Sequence, residues 1–170
     1  ILKIPNSMVF HRMWISEIIL KKIYDDFEII FENRENYEFS IKGDSLKRKL
    51  IVKDIFFTTA EKNWLGSETL PNLPLKYLSS NLTEEKPLPI IYGDYDYNIN
   101  KKNTSYLNLD IIGGSYFMLS RYEEFIIKEK DSHNRFPAYL SVAKKSGFLN
   151  RPIIDEYIVL LKKFFLLIWP

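Results

Sequence analysis

Cysteine is absent from the 170 residues. Disulfides, thiolate nucleophiles, zinc fingers and iron–sulfur clusters are thereby excluded, and a cytoplasmic location is expected. Histidine is scarce, with only two, His11 and His133. They lie far apart in the chain, so no His-x-x-x-His or His-Glu-x-x-His pair exists, and no metal ligand is assigned here. Charge of one sign is also lacking, since 24 Lys+Arg against 22 Asp+Glu leave +2. That balance gives no electrostatic ground for a nucleic-acid partner, and none is expected. The most apolar run, Phe164 to Pro170, is too short to span a membrane and follows Lys162-Lys163. Neither the Gly-x-Ser-x-Gly elbow of serine hydrolases nor a phosphate-loop or dinucleotide glycine pattern occurs.

What is present suits one domain with a real core: 46% hydrophobic residues, of which many belong to the 15% aromatics. The chain begins at Ile1 rather than Met, which reads as a piece of a longer protein. "ILKIP" predicts a strand stopped by Pro5. Met8, Trp14, Ile15, Ile18, Ile19 and Ile23 recur at helical spacing, with Asn6 or Ser7 as cap. Strands are predicted at 27–32, 37–41 and 49–57, and a short helical piece at 59–65. Prolines 71, 74 and 87 predict an irregular loop from Leu70 to Leu88. Strands follow at 88–94 and 106–112, flanking a polar, tyrosine-rich loop.

The stretch "IIGGSYFMLSRYEEFI" then predicts a strand, a Gly113-Gly114 corner, and a helix capped by Ser115 and running to about Lys128. Glu123 and Glu124 lie about 100° apart on that helix, so they do not converge on one atom as an acid/base pair. Gly147 closes a short helix. Asn150, Pro152 and Asp155-Glu156 are start signals for a last helix with a stripe of Ile154, Ile158, Leu161, Phe165 and Ile168.

Charged residues are dense between Arg121 and Tyr157. Arg121, Glu124, Asp131, Arg135, Arg151, Asp155, Glu156 and Tyr157 are the candidate residues for a shared network. Arginine's planar fork holds a carboxylate at two points, so the network either pins loops and helices together or holds a sugar or an anion. Tyr92, Tyr95, Tyr97 and Tyr106 form a second candidate, because an aromatic face with a polar tip stacks on sugars.

Leu109-Asp110, Gly113-Gly114-Ser115, Tyr116-Phe117, Arg121 to Glu124, Asp131 to Pro137, Gly147 to Leu149, Arg151-Pro152, Asp155 to Tyr157 and Trp169-Pro170 stand in a recognisable order. The set resembles the uncharacterised N-terminal domain of bacterial polysaccharide deacetylase-family proteins, which are associated with surface-polysaccharide biosynthesis. Upstream the likeness is looser, through "KDIFF", "NWL" and "LPIIYGD". Gly114 and Tyr116 stand where Ser and Phe are usual.

The resemblance implies a single accessory domain over 1–170, with no catalytic residue and no cofactor of its own. A deacetylase domain would follow in the same chain and use a divalent metal to activate water against an acetyl group. Its implied partners are that domain and a polysaccharide or glycolipid. A self-contained carbohydrate-binding module would instead expose aromatics. An independent carboxylate enzyme would bring Asp131, Asp155 or Glu156 together in a pocket. The expected fold is α+β (α/β-like), one mixed sheet packed against helices, with a helical C-terminal third.

Overall fold

The computed structural model describes residues 1–83 and 86–170. Six strands form a mixed sheet in the order β2 (Ile29–Glu32), β1 (Leu2–Pro5), β3 (Tyr37–Phe39), β4 (Lys49–Val52), β8 (Thr104–Leu109) and β7 (Gly93–Asn98). β1 (Leu2–Pro5) buries Leu2 and Ile4, and α1 (Val9–Lys21) carries the chain over to β2 (Ile29–Glu32), which pairs with β1 in parallel. β3 (Tyr37–Phe39) and β4 (Lys49–Val52) form an antiparallel pair. β8 (Thr104–Leu109) lies parallel to β4, with Leu50 opposite Ser105 and Val52 opposite Leu107. The expected mixed sheet is therefore present, with helices concentrated in the C-terminal part.

Several element bounds differ from the expectation. The apolar run 49–57 is a strand only to Val52; α2 (Phe56–Ala60) follows, replacing the piece expected at 59–65. Asp54, two residues past the end of β4, is buried with its carboxylate bonded inside the protein. Only residues 99–103 of the tyrosine-rich segment form a connecting loop; its first part is β7 (Gly93–Asn98), an edge strand paired antiparallel with β8. Its lack of apolar alternation follows from its place at the edge, where little of it is buried. The loop 70–88 contains β5 (Lys76–Leu78), which pairs with β6 (Leu88–Ile90) in a small second sheet. Residues 84 and 85 of that loop lie outside the described residues.

Gly113-Gly114 is not a corner. Both glycines sit inside α3 (Ile111–Leu119), which is buried from Ile111 to Phe117 and touches α1, α2 and α6 (Ile153–Ile168). Close approach explains the two residues. A Cβ on Gly113 would overlap the Asp110 carboxylate and Phe56, and one on Gly114 would lie 3.2 Å from the Tyr157 ring of α6. Ser115 does not cap; its hydroxyl is buried inside the helix without a partner, and Asp110 is the cap instead. The helix stops at Leu119 rather than near Lys128. Arg121 takes a left-handed conformation (φ 53°), and a short α4 (Glu123–Ile126) starts afresh. α5 (Val142–Lys145) closes at Gly147 with φ 74°, as the sequence implies.

α6 buries Ile158, Leu161, Phe165 and Ile168, four of the five stripe residues. Asn150 is not its cap; Pro152 holds that position without a side-chain bond. Arg48 closes the other end by donating to the Ile168 carbonyl at 2.7 Å. A cation at a helix C-terminus meets the unsatisfied carbonyls and the negative end of the dipole. No described helix is long and apolar enough to cross a membrane.

Candidate functional site

The charged residues singled out from the sequence do not form one network. They resolve into separate short-range pairs. Arg121 binds Glu124 at 2.6 Å on the surface. Arg135 binds Asp131 at 3.0 Å, and Asp131 also accepts from the backbone N–H groups of His133 and Arg135, which folds that loop on itself. Arg151 binds Glu156 at 2.5 Å and donates to the Pro87 carbonyl, clipping the loop before β6 to α6. Asp155 faces solvent, 3.9 Å from Lys22. Each of the three arginines finds its carboxylate within five residues, so the sequence spacing that suggested a cluster was already consumed locally. Asp131, Asp155 and Glu156 thus have different partners and do not form the converging set that a carboxylate enzyme needs.

Tyr157 has another role. It is fully buried, its hydroxyl donates to the Pro89 carbonyl at 2.7 Å, and it accepts from the Ile91 N–H at 3.2 Å. It holds the second sheet against α6. Glu123 and Glu124 diverge as expected. Glu124 turns out to Arg121, while Glu123 is buried and accepts from the Val142 N–H at the start of α5. The Tyr122 hydroxyl accepts from the Leu65 N–H at 2.6 Å.

The buried charge centre lies elsewhere, at the carboxyl ends of β4 and β8. Arg12 of α1 is 1% exposed, and its guanidinium meets Asp54 at 2.6 Å, the Tyr37 hydroxyl at 2.8 Å and the Ser7 carbonyl at 2.8 Å. It also lies over the Phe57 ring, 4.8 Å from the centroid. One oxygen of Asp54 accepts from Arg12 and Thr58; the other is buried without a partner. Asp110 is wholly buried. Its two oxygens accept from the backbone N–H groups of Ile55 (2.8 Å), Phe56 (2.9 Å) and Gly113 (2.7 Å). One carboxylate thereby caps the first turns of both α2 and α3. Burial and the nearby Asp54 push Asp110 up to about 7, against the pull of those three donors. A cleft of 290 Å³ opens beside Arg12 and Asp54, lined also by Arg34, Asn36, Lys53 and Glu61.

Sequence reasoning missed Arg12 and Asp54 as a pair, and took Asp110 only as part of a motif. A signal for Arg12 was available. It shares the i, i+3, i+4, i+7 stripe with Ile15, Ser16 and Ile19, all of which are buried. An arginine in such a stripe needs a buried acid. Which acid is a question of topology, since Asp54 is 42 residues away.

The tyrosine candidate is also redistributed. Tyr92 is buried with its hydroxyl on the Thr69 carbonyl, and Tyr97 packs on Phe164, leaving Tyr95 and Tyr106 exposed. A denser aromatic group sits around Tyr116. The His11 and Trp14 rings each lie 5.7 Å from it, and Trp64 lies 6.4 Å from it and 4.9 Å from His11. His133 is exposed in the Asp131 loop. Among the described residues no group of three or more metal-ligating side chains is gathered.

The chain is thus an α+β domain in which several buried polar residues bind its own backbone. Residues 3–170 match a family of unknown function (DUF7033), and the chain belongs to that family. Over 162 residues it is 24% identical to High molecular weight rhoptry protein 2 of Plasmodium berghei (strain Anka). That alignment takes in 88% of this chain and only 12% of that protein. No solved structure matches.

Proposed function

We propose that this chain is a non-catalytic accessory domain that precedes a polysaccharide deacetylase domain in a longer protein. There it positions the glycan or buttresses the catalytic domain. One observation supports the reading: several polar residues of the motifs that carry the resemblance are turned onto this chain's own backbone. Asp110 caps two helices, Glu123 caps α5, Tyr122 fixes Leu65, Tyr157 fixes β6, and Arg151 clips Pro87. Residues spent this way are unavailable to a substrate and have the character of a scaffold signature. In this reading the divalent metal and its water belong to the following domain.

Acetate release from acetylated oligosaccharides, with a divalent metal added, tests the proposal. The longer protein should release acetate and residues 1–170 alone should not. Activity of the following domain that persists on short substrates but falls on long ones marks a positioning role; loss of its solubility marks buttressing. Turnover by residues 1–170, or an inert longer protein, would overturn it.

A further inference from the structure

α1 is apolar on two sides. Ile15, Ile19 and Leu20 face the core, while Phe10 and Trp14, one turn apart, face out and are 80% and 44% exposed. Trp64, 42% exposed, extends this outer face from the loop after α2; its ring lies 4.9 Å from His11, and His11, Trp14 and Trp64 all pack around Tyr116. We infer that Phe10, His11, Trp14 and Trp64 form a binding face for an uncharged glycan, which deepens the glycan-positioning form of the function proposed above.

Polarity and size select the ligand. The rings offer flat apolar faces, yet the indole N–H groups of Trp14 and Trp64, the His11 imidazole and the Tyr116 hydroxyl have no hydrogen-bond partner among the described residues. Trp169 contrasts with them, for its indole N–H is bonded to Asp44 at 3.2 Å. A pyranose ring has the matching character, apolar C–H faces and a rim of hydroxyls. Phe10, Trp14 and Trp64 are uncharged and no lysine or arginine is among the four residues, which does not favour a phosphate backbone or an anionic lipid. Area weighs against a second protein. Side chains of about 200 Å² each at these exposures offer roughly 300–400 Å², about half of the ~800 Å² per partner in a stable interface.

The probe is a series of N-acetylglucosamine oligosaccharides titrated into the protein, followed by tryptophan fluorescence. Wild type should give a saturable change. Trp14→Ala and Trp64→Ala, checked for unchanged far-ultraviolet circular dichroism, should each weaken binding about three- to tenfold. Tyr95→Ala, on an exposed ring of β7, should not. If either tryptophan variant unfolds, His11→Ala and Phe10→Ala replace it with the same expected loss. No saturable change, or equal binding by every variant, overturns the inference. So does self-association in sedimentation that Trp64→Ala abolishes, for the face would then belong to a second copy. If oligosaccharide binding fails while the longer protein still releases acetate, this inference falls alone. Binding without any acetate release would sink the deacetylase reading instead.

Discussion

Arg12 and Asp54 are 1% and 0% exposed at their side chains and lie 2.6 Å apart. Removing one partner strands the other in a low-dielectric site, so Arg12→Met is expected to cost about 3–5 kcal/mol in urea unfolding. The double variant Arg12→Met/Asp54→Leu should recover most of that loss, because neither charge is then left behind. Equal losses in the single and double variants would show that the pair's charge is not what matters.

Asp110 makes a second residue-level prediction. Its folded-state value of about 7 lies above the unfolded value of about 3.9. Between those limits the folded protein holds a proton that the unfolded chain has lost. The contribution of Asp110 to stability is therefore full below about pH 4 and is lost as pH rises toward 7. Asp54 and Glu123, raised by burial, act in the same direction. Asp44 acts oppositely. Arg48 holds its carboxyl well below the usual range, so its contribution is present above about pH 4 and is lost only under stronger acid. Urea midpoints measured from pH 4 to 8 should fall with pH in wild type and vary less in Asp110→Asn; an unchanged slope rules out Asp110 as the source.

At the scale of elements, α3 decides how closely its neighbours approach. Alanine is a better helix former than glycine by about 1 kcal/mol. Gly113→Ala should nonetheless destabilise by about 1–3 kcal/mol, since the new methyl overlaps the Asp110 carboxylate and Phe56. Thermal unfolding checks the sign, and a raised melting temperature would mean that α2 and α3 can separate without loss. The same element shows the limits of local reading. A GlyGly pair after a strand suggests a turn, and only the packing of Phe56 and Tyr157 shows why small residues are needed within a helix. The α6 stripe was legible because 3.6-residue periodicity is a property of the helix itself. β7 was not, because an edge strand that buries little leaves no alternation to find.

On the scale of the whole molecule, the parallel pairing of β4 with β8 places Asp54 and Asp110 side by side. The passage of α1 between β1 and β2 carries Arg12 to them. If the proposed accessory role holds, acetate release by the longer protein should change when residues 1–170 are removed, and an unchanged release on both long and short substrates would argue against it. The aromatic face on α1 is also a whole-molecule feature. Trp14 and Trp64 are 50 positions apart, and only the docking of the loop after α2 brings them both around Tyr116.

Composition and periodicity by themselves determined an α+β domain without disulfides and the apolar stripe of its last helix. Those properties depend on neighbours within about a turn of helix or a strand's alternation. Tertiary structure alone decided that Arg12 meets Asp54, that Asp110 caps two helices, and that the motif residues bind backbone. Such contacts join positions tens of residues apart. Burial, which makes an unpaired charge costly, is set by the assembled core and not by the local sequence.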